Sequence, residues 1–488
     1  MDNLNVIPDI FWIKMKKMNC DEMLKEFEPL FNPRSVAVVG ASRTPGKAGY
    51  VLVENLLNLG YRGSIYPINP NAKEILGLVA YRSVLEVPGT IDLAAVIVPA
   101  EMVPQVIQEC VKKRIKYLVI ISGGFGEAGK EGKRLQDEIT QIAGQGRSRI
   151  IGPNIIGMIS TTGNLFVTFA PFKQVRKGSV AVVAQTGAFC GAALHYLLSF
   201  QDFGLSKSVD LGNRCDLSEN ELLEYFLCDP DTRIIVLHIE GVKDGRTFLE
   251  TAKRVSAKKP ILVLKFGRTE VGSRAVASHT GSLAGSDSVY SAAFRQAGLL
   301  RVDDLDEIVH VSRALELLPL PNDNRVCIIT FSGAAGAQAA DLCIENGLTV
   351  PNLAGDTIAK IRGMSPPWMG ISNPLDIWPA AERSGDVGKT YAEAINAALV
   401  DENVDLIIVL VNVSYTPVSQ SPMPEELAEA VKTPLTKPVA ICAIGYTWDV
   451  ERYAEVLSKK MLPVYPTVKS CVQALSKLYQ YGMYRKQT

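Results

Sequence analysis

His279 stands in the stretch "SRAVASHTGSLAG" and is one of four histidines in 488 residues. Ser278, Thr280 and Gly281 surround it with small, polar groups. A neutral imidazole near pH 7 is a usable nucleophile, and small neighbours leave room for a bulky group to attach. An idle histidine in a surface loop would look the same locally, so both readings stand on this stretch alone. A nucleophilic imidazole needs a partner on its second ring nitrogen, which fixes the tautomer and steadies the cation formed. Glu240, at the end of "VLHIEGVKDG", is the best-placed carboxylate; a turn-capping acid is its ordinary alternative. The other histidines read as packing residues. His195 in "GAALHYLLSF" and His310 in "LDEIVHVSRALELL" lie in apolar helical patterns, as core or interface groups. His238 lies inside "RIIVLHIE" and is expected to pack against a sheet neighbour. No two histidines have metal-ligand spacing, so no metal site is expected.

If His279 receives a phosphoryl group, other groups must hold the remaining oxygens. Two stretches of the form strand, small loop, helix could present backbone N–H groups to an anion. One is "VVAQTGAFCGAAL", with Gln185, Thr186, Gly187 and Ala188. The other is "ITFSGAAGAQAADL", with Ser332, Gly333, Ala334, Ala335 and Gly336. Each could instead be a close-packed turn.

A third such loop is "VAVVGASRTPGKAGYVLVENLL", where Gly40, Gly46 and Gly49 let the backbone approach a phosphate and Lys47 adds a cation. It is not a G-x-G-x-x-G fingerprint, and no acid ends the next strand to hold a ribose diol, which argues against NAD. That strand offers Asn69, Pro70 and Lys73, which suit a phosphorylated ribose or pyrophosphate such as that of coenzyme A. The loops "VPAE" (98–101) and "ISGGFGE" (121–127) end the two following strands and are small enough to line a groove, or to be plain turns.

The elements that must position these loops repeat one theme: a β-branched run, a Gly-rich turn, an amphipathic stretch. Runs fall at 35–42, 64–69, 93–99, 116–122 and 149–154, then at 179–185, 206–212, 233–240 and 260–267, then at 325–333, 405–412, 438–445 and 462–466. Near-continuous apolar strands alternating with helices predict an α/β fold of three consecutive doubly wound domains with mainly parallel sheets. The expected division is an extension 1–24 and domains 25–172, 173–320 and 321–488. "LELLPLPNDN" (315–324) marks the last boundary, and "APFKQVRKG" (170–178) a softer one. Ligands of such folds sit outside the carboxyl ends of the strands.

Lys+Arg and Asp+Glu both total 51, so nothing in the net charge favours nucleic acid or an anionic membrane surface. No apolar run approaches the roughly 20 residues that span a bilayer. Residues 1–20 do not read as a signal peptide, since acids precede the apolar part and lysines follow it. The nine cysteines have no framework spacing. Cys190, Cys327, Cys343 and Cys442 lie in apolar surroundings and read as buried thiols of a reducing cytoplasm.

These pieces together resemble the α subunit of the ADP-forming (NDP-forming) acyl-CoA synthetases, in the succinyl-CoA synthetase superfamily. The resemblance is carried by "GASRTPGKAGYVLVENLLNLGYRGSIYPINPNAKEILG", "ISGGFGEAGKEG", "IIGPNIIG", "AQTGAF", "LGNRCDLSENELLEYFLCDPDTRIIVLHIEG", "LKFGRT" and "ASHTGSLAGSD", and by "SGAAG", "SNPLDI" and "LPVYPTVKSCVQAL" towards the C-terminus. It implies a CoA-binding domain, a phosphohistidine domain and a second flavodoxin-like domain, in that order. It implies that His279 is transiently phosphorylated and that Glu240 stabilises it. Coenzyme A would lie along Gly40, Ala41, Ser42, Gly46, Lys47 and Gly49, Asn69, Pro70 and Lys73, and the loops Val98–Pro99–Ala100 and Ser122–Gly123–Gly124–Phe125. Asn154 would lie near the reacting acyl carbonyl. Two departures are visible. The family's SQSGA is here Ala184, Gln185, Thr186, Gly187, Ala188, and its TNAGG is here "TFSGAAG". Nothing after residue 320 resembles an ATP-grasp module, so the resemblance implies a separate ATP-grasp β subunit holding ATP/ADP and Mg2+, with phosphate and a small carboxylic acid as the other reactants, in a hetero-oligomer. A non-catalytic CoA- or acyl-CoA-binding sensor or scaffold is the alternative.

Overall fold

The computed structural model describes residues 12, 15–200, 202–280, 286–413, 422–431 and 435–488; for residues 276–280 and 430 it describes the backbone alone. The chain divides into two compact units, Met1–Leu305 and Asp306–Thr488. The first holds two sheets and the second holds one, and the fold is α/β with mainly parallel strands throughout.

The first sheet is built from Ser35–Val39, Ser64–Ile68, Leu93–Val96, Tyr117–Ile120 and Arg149–Ile151. Their spatial order is second, first, third, fourth, fifth, all parallel. The second sheet repeats this order with Lys177–Ala184, Leu205–Asp210, Ile234–Ile239, Ile261–Lys265 and Leu300–Val302. The strands are apolar along almost their whole length because helices cover both faces; Ile234–Ile239 is buried at every position. In this strand order the chain reverses direction between the first and third strands, and the crevice for a ligand opens there.

Three strands of the second sheet were not expected, the edge strand Leu300–Val302 and two that precede Lys177–Ala184. Gly157–Ser160 and Leu165–Thr168 form a hairpin that pairs antiparallel with Leu205–Asp210. The second sheet therefore begins before residue 172. The turn signal "TTGN" between two short apolar runs was present, but each run has only four residues.

The helix Cys20–Phe31 crosses residue 24, where the N-terminal extension was expected to end. Asn19 and Glu22 close a reciprocal capping box at its start. Met23, Phe27, Leu30 and Phe31 fall on one face and are buried, and Phe31 stacks on Tyr225 with centroids 4.4 Å apart. Met15 is also buried, so the segment from there on belongs to the core of the first unit. A disulfide joins Cys20 to Cys228 at the end of Glu219–Cys228. This corrects the picture of nine unconnected cysteines: spacing 208 residues long carries no local signal. Cys190, Cys327, Cys343 and Cys442 are free and buried.

In the second unit, Val326–Thr330, Leu375–Asp376, Leu406–Val413, Val439–Gly445 and Val464–Tyr465 form a third parallel sheet in the same order. The helix Leu305–Leu317 opens this unit, ahead of the boundary expected at residue 320. Among the described residues, no helix is long and apolar enough to cross a membrane.

Candidate functional site

In the second sheet the first and third strands are neighbours, and Gln185 and Glu240 directly follow them. Two residues 55 positions apart thus meet at the crevice. The Gln185 Oε1 atom accepts the backbone N–H of Glu240 at 2.8 Å and of Gly241 at 3.1 Å. Thr186, Gly187 and Ala188 lead into the helical segment Phe189–Ser199, whose first turn is a π-turn. A Cβ on Gly187 would lie 2.9 Å from Ile156 and 3.3 Å from an Asp210 oxygen, so only glycine lets the loop sit this low.

A cavity of about 600 Å³ opens here. It is lined by Asn154, Gln185, Thr186, Gly187, Ala188 and Glu240, which sequence reasoning had proposed separately. Glu127, Lys133, Asn213, Arg214 and Lys243 also line it and were missed. Glu127, Asn213, Arg214 and Lys243 follow strand ends, and Lys133 lies in the first turns of the helix Lys130–Gln145. The backbone carries a clearer signal, since Asn154 and Arg214 both have left-handed φ values, 64° and 53°. Such non-glycine conformations persist only where surroundings over-determine them.

The site is mixed in charge, with Asp210, Arg214 and Glu240 buried and Lys133 and Lys243 exposed. Burial pushes the Asp210 carboxyl up to about 7. The Ile156 and Gly212 N–H groups it accepts oppose that shift, and the nearby Glu240 charge adds to it. Desolvation of the Lys243 ammonium, then the Arg214 charge, lowers it below its ordinary value. Burial alone would raise the Glu127 carboxyl, but hydrogen bonds from Asn213, Gly124 and Phe125 outweigh it and lower it.

The histidine segment differs from its expected loop. Glu270–Thr280 is an α-helix. The Thr269 Oγ1 atom accepts the Gly272 N–H at 3.1 Å, the Ser273 hydroxyl donates to the Gly267 carbonyl at 2.8 Å, and Glu270 faces the positive helix end. These starts, followed by small residues, make helix where glycine and serine content had suggested loop. The His279 backbone lies in the last turn; its side chain and residues 281–285 lie outside the described residues.

The other histidines are placed by packing. His238 is buried between Phe189 and Phe266, at centroid distances of 5.1 and 4.6 Å, and burial and then Lys265 push it down to about 3. His310 is buried against Tyr465. Of the core and interface alternatives for His195, the core one is overturned: it is exposed, with its Nε2 3.0 Å from the Pro171 carbonyl.

The first sheet has its own crevice, between Gly40 and the strand end at Val96. Gly40 has φ 93°, and a Cβ there would lie 2.2 Å from the Ile97 carbonyl oxygen. A Cβ on Gly49 would lie 2.1 Å from the Gly40 oxygen, so the helix Ala48–Asn58 packs directly on the loop. The Asn69 amide donates to the Ala41 carbonyl at 2.8 Å and shapes the loop from below. Ser42 accepts the Thr44 N–H, and the Ser122 hydroxyl donates to the Val98 carbonyl at 2.6 Å, which ties two of the expected CoA loops together. Lys47, Pro70 and Lys73 are exposed beside it. A strand, a glycine turn and a helix start form the kind of loop whose backbone N–H groups receive a phosphate. None of these residues lines the cavity at Glu240. Ser332, Gly333, Ala334, Ala335 and Gly336 open the helix Gly333–Glu345 in the other unit.

Three domain families match in the order the strands suggest: a CoA binding domain over 34–161, a succinyl-CoA ligase like flavodoxin domain over 177–315 and a ligase-CoA domain over 326–486. The class is therefore that of CoA ligases built from three α/β domains. Over 468 residues the chain is 42% identical to the α subunit of the ADP-forming acetate–CoA ligase I of Pyrococcus furiosus, covering 94% of this chain and 98% of that one. It is 38% identical over 490 residues to the ADP-forming acetate–CoA ligase II of Archaeoglobus fulgidus, covering 99% of this chain and 71% of the relative. The dinucleotide-forming acetyl-coenzyme A synthetase 1 of Ca. Korarchaeum cryptofilum, solved with phosphate and ADP, superposes with a TM-score of 0.85 at 36% identity, covering 94% of this chain and 97% of that one. The chain belongs to the ADP-forming acyl-CoA synthetases of the succinyl-CoA synthetase superfamily.

Proposed function

We propose that this chain is the α-type component of an acyl-CoA synthetase that interconverts acid, CoA and ATP with acyl-CoA, ADP and phosphate through phosphorylated His279. The supporting observation is the meeting of Glu240 with the N–H-rich loop Thr186–Ala188 at the rim of one cavity. Read from the acyl-CoA side, a phosphate oxygen attacks the thioester carbonyl. The carbon–sulfur bond breaks and the CoA thiolate leaves, giving an acyl phosphate. The imidazole of His279 then attacks phosphorus, the bond to the acyl oxygen breaks, and the carboxylate leaves. Glu240 steadies the phosphoimidazole and the loop N–H groups hold the phosphoryl oxygens. Asn154 lies at the same cavity and polarises the acyl carbonyl. CoA runs along the Gly40–Gly49 groove and the loops 98–100 and 122–125, and its phosphates take the helix start at Lys47.

The relatives of matching length are named α subunits, and we assign this chain a separate ATP-grasp partner that supplies ADP and Mg2+. The acyl-CoA half needs only this chain. Incubation with acetyl-CoA and radiolabelled phosphate should give acid-labile label on His279, abolished in His279→Ala. CoA binding without any label in the wild type would instead make the chain a CoA-binding sensor.

A further inference from the structure

The cavity contains a turn that the reaction scheme does not use. Asn213–Arg214 lies between the loop that carries Glu240 and the loop expected to hold CoA, and it touches both. Arg214 is buried, and its Nη1 donates to the Gly241 carbonyl at 2.8 Å and to Glu219 Oε2 at 3.4 Å. The same Glu219 oxygen accepts the Gln185 amide at 3.5 Å. Gln185 in turn accepts the Glu240 and Gly241 N–H groups. Gly241, the residue after Glu240, is therefore gripped at both ends, by Gln185 on its N–H and by Arg214 on its carbonyl oxygen. Lys243 closes the grip by donating to the Arg214 carbonyl.

Asn213 faces the other way. Its amide donates to Glu127 Oε2 at 2.5 Å and to Gln136 Oε1 at 2.9 Å, and its Oδ1 accepts Asn154 at 3.5 Å. The second Glu127 oxygen accepts the N–H groups of Gly124, at 2.6 Å, and Phe125, at 3.2 Å. One carboxylate thus holds the Gly123–Phe125 loop and the Asn213 side chain together. Left-handed backbone at Arg214 costs energy for an arginine, and its own bonds to Glu219, Gly241 and Lys243 keep it there.

We infer that the Asn213–Arg214 turn positions Glu240 and links that position to the loop Gly123–Phe125, so that the thioester end of the site and the phosphoryl end are set by one element. Arg214 is a positioning residue for Glu240, and Asn213 is the link to the thioester loop. The inference rests on the proposed phosphohistidine chemistry. It predicts different effects on two routes to the same product. Acyl phosphate phosphorylates His279 without using the thioester loop; acyl-CoA with phosphate uses both ends.

The test measures His279 phosphorylation in the full chain from acetyl phosphate, and separately from acetyl-CoA with labelled phosphate. Arg214→Met should slow both routes by roughly 10- to 100-fold in the saturated rate with KM for acetyl phosphate little changed, since misplacement by about 1 Å costs on that order. Arg214→Lys should recover part of the loss. Asn213→Ala should slow the acetyl-CoA route by roughly 10-fold or more and leave the acetyl phosphate route within about 2-fold. Equal losses on both routes for Asn213→Ala, or a wild-type rate for Arg214→Met, would overturn the inference. If Arg214→Met does not fold, Arg214→Lys and Asn213→Ala decide, with thermal unfolding as the control. A wild-type chain that takes no label by either route refutes the phosphohistidine reading instead.

Discussion

The side-chain oxygen of Gln185 accepts the N–H groups of Glu240 and Gly241, so the residue that begins the anion loop also fixes the peptide that carries the acidic partner. The family pattern reads Gln185 as part of a phosphate or acyl site. Its amide is in fact committed to this peptide and to Glu219. Gln185→Ala leaves two buried donors without an acceptor, each costing about 1–3 kcal/mol. We expect His279 labelling from acetyl phosphate to fall roughly 10- to 100-fold. Gln185→Glu should not rescue it, because a third carboxylate would join Glu219 and Glu240. Rapid-quench labelling of the two variants checks both statements, and a fully active Gln185→Glu would refute the second.

The first crevice makes an independent prediction. Because a Cβ on Gly49 would meet the Gly40 oxygen at 2.1 Å, Gly49→Ala must push the helix start away from the loop. Both contacts are backbone, so no side-chain rotation relieves them. Stability should drop by about 1–3 kcal/mol, and the Kd for CoA should rise at least several-fold. Calorimetric titration of CoA into the variant measures this. Gly46→Ala is the contrast: its Cβ would meet open space, and its cost is limited to the left-handed backbone at φ 80°.

Most of the fold was legible because its signal is local. Buried parallel strands announce themselves as apolar runs, and all the runs anticipated in the sequence contain a strand. The hairpin 157–168, the three-residue strand Leu300–Val302 and the two-residue strand Leu375–Asp376 were missed because four or fewer residues carry no usable period. Among the residues that line the cavity, Glu240 and Gln185–Ala188 were legible as loop residues because they follow strands, and strand order brings them together. Asn213 and Arg214 were not. They act through backbone carbonyls and through Glu127, and a hydrogen bond to main chain leaves no residue pattern. The helix at Glu270–Thr280 was hidden by the same small, polar composition that suggested a loop, and the Thr269 hydroxyl accepts the Gly272 N–H at its start.

The disulfide between Cys20 and Cys228 closes a loop 208 residues apart in sequence. It anchors the helix Cys20–Phe31, whose aromatic face packs on Tyr225 and Phe226. In the chain-entropy account such a link stabilises by about 2–4 kcal/mol, and more for long loops. Cys20→Ser should therefore lower the denaturant midpoint under oxidising conditions and abolish the effect of added dithiothreitol. Thiol titration of the unfolded, unreduced chain should count seven thiols, the number of free cysteines. Nine thiols, with no effect of reductant, would show that the pair is reduced in the native protein.

Asp210 makes the pH dependence specific. Its carboxyl is fully buried beside Glu240 and is held near pH 7 rather than at its ordinary 3.8. The folded value is raised above the unfolded one. The folded state therefore binds this proton more tightly, and the stability that gives is complete below about 3.8 and lost as pH rises through about 7. A shift of about three units sets the loss on the order of 4 kcal/mol across that window. Asn at this position cannot ionise and keeps one oxygen acceptor for the Ile156 or Gly212 N–H. We expect Asp210→Asn to flatten the slope of unfolding free energy between pH 5 and pH 8, about where the wild type falls most steeply. Its absolute stability should lie below that of the wild type at pH 5, where one N–H faces the new amide, and approach or exceed it at pH 8. Urea unfolding at four or five pH values gives the slopes. Parallel curves for the two proteins would mean that Asp210 stays ionised in the fold, with the Ile156 and Gly212 N–H groups or a cation of the cavity outweighing burial.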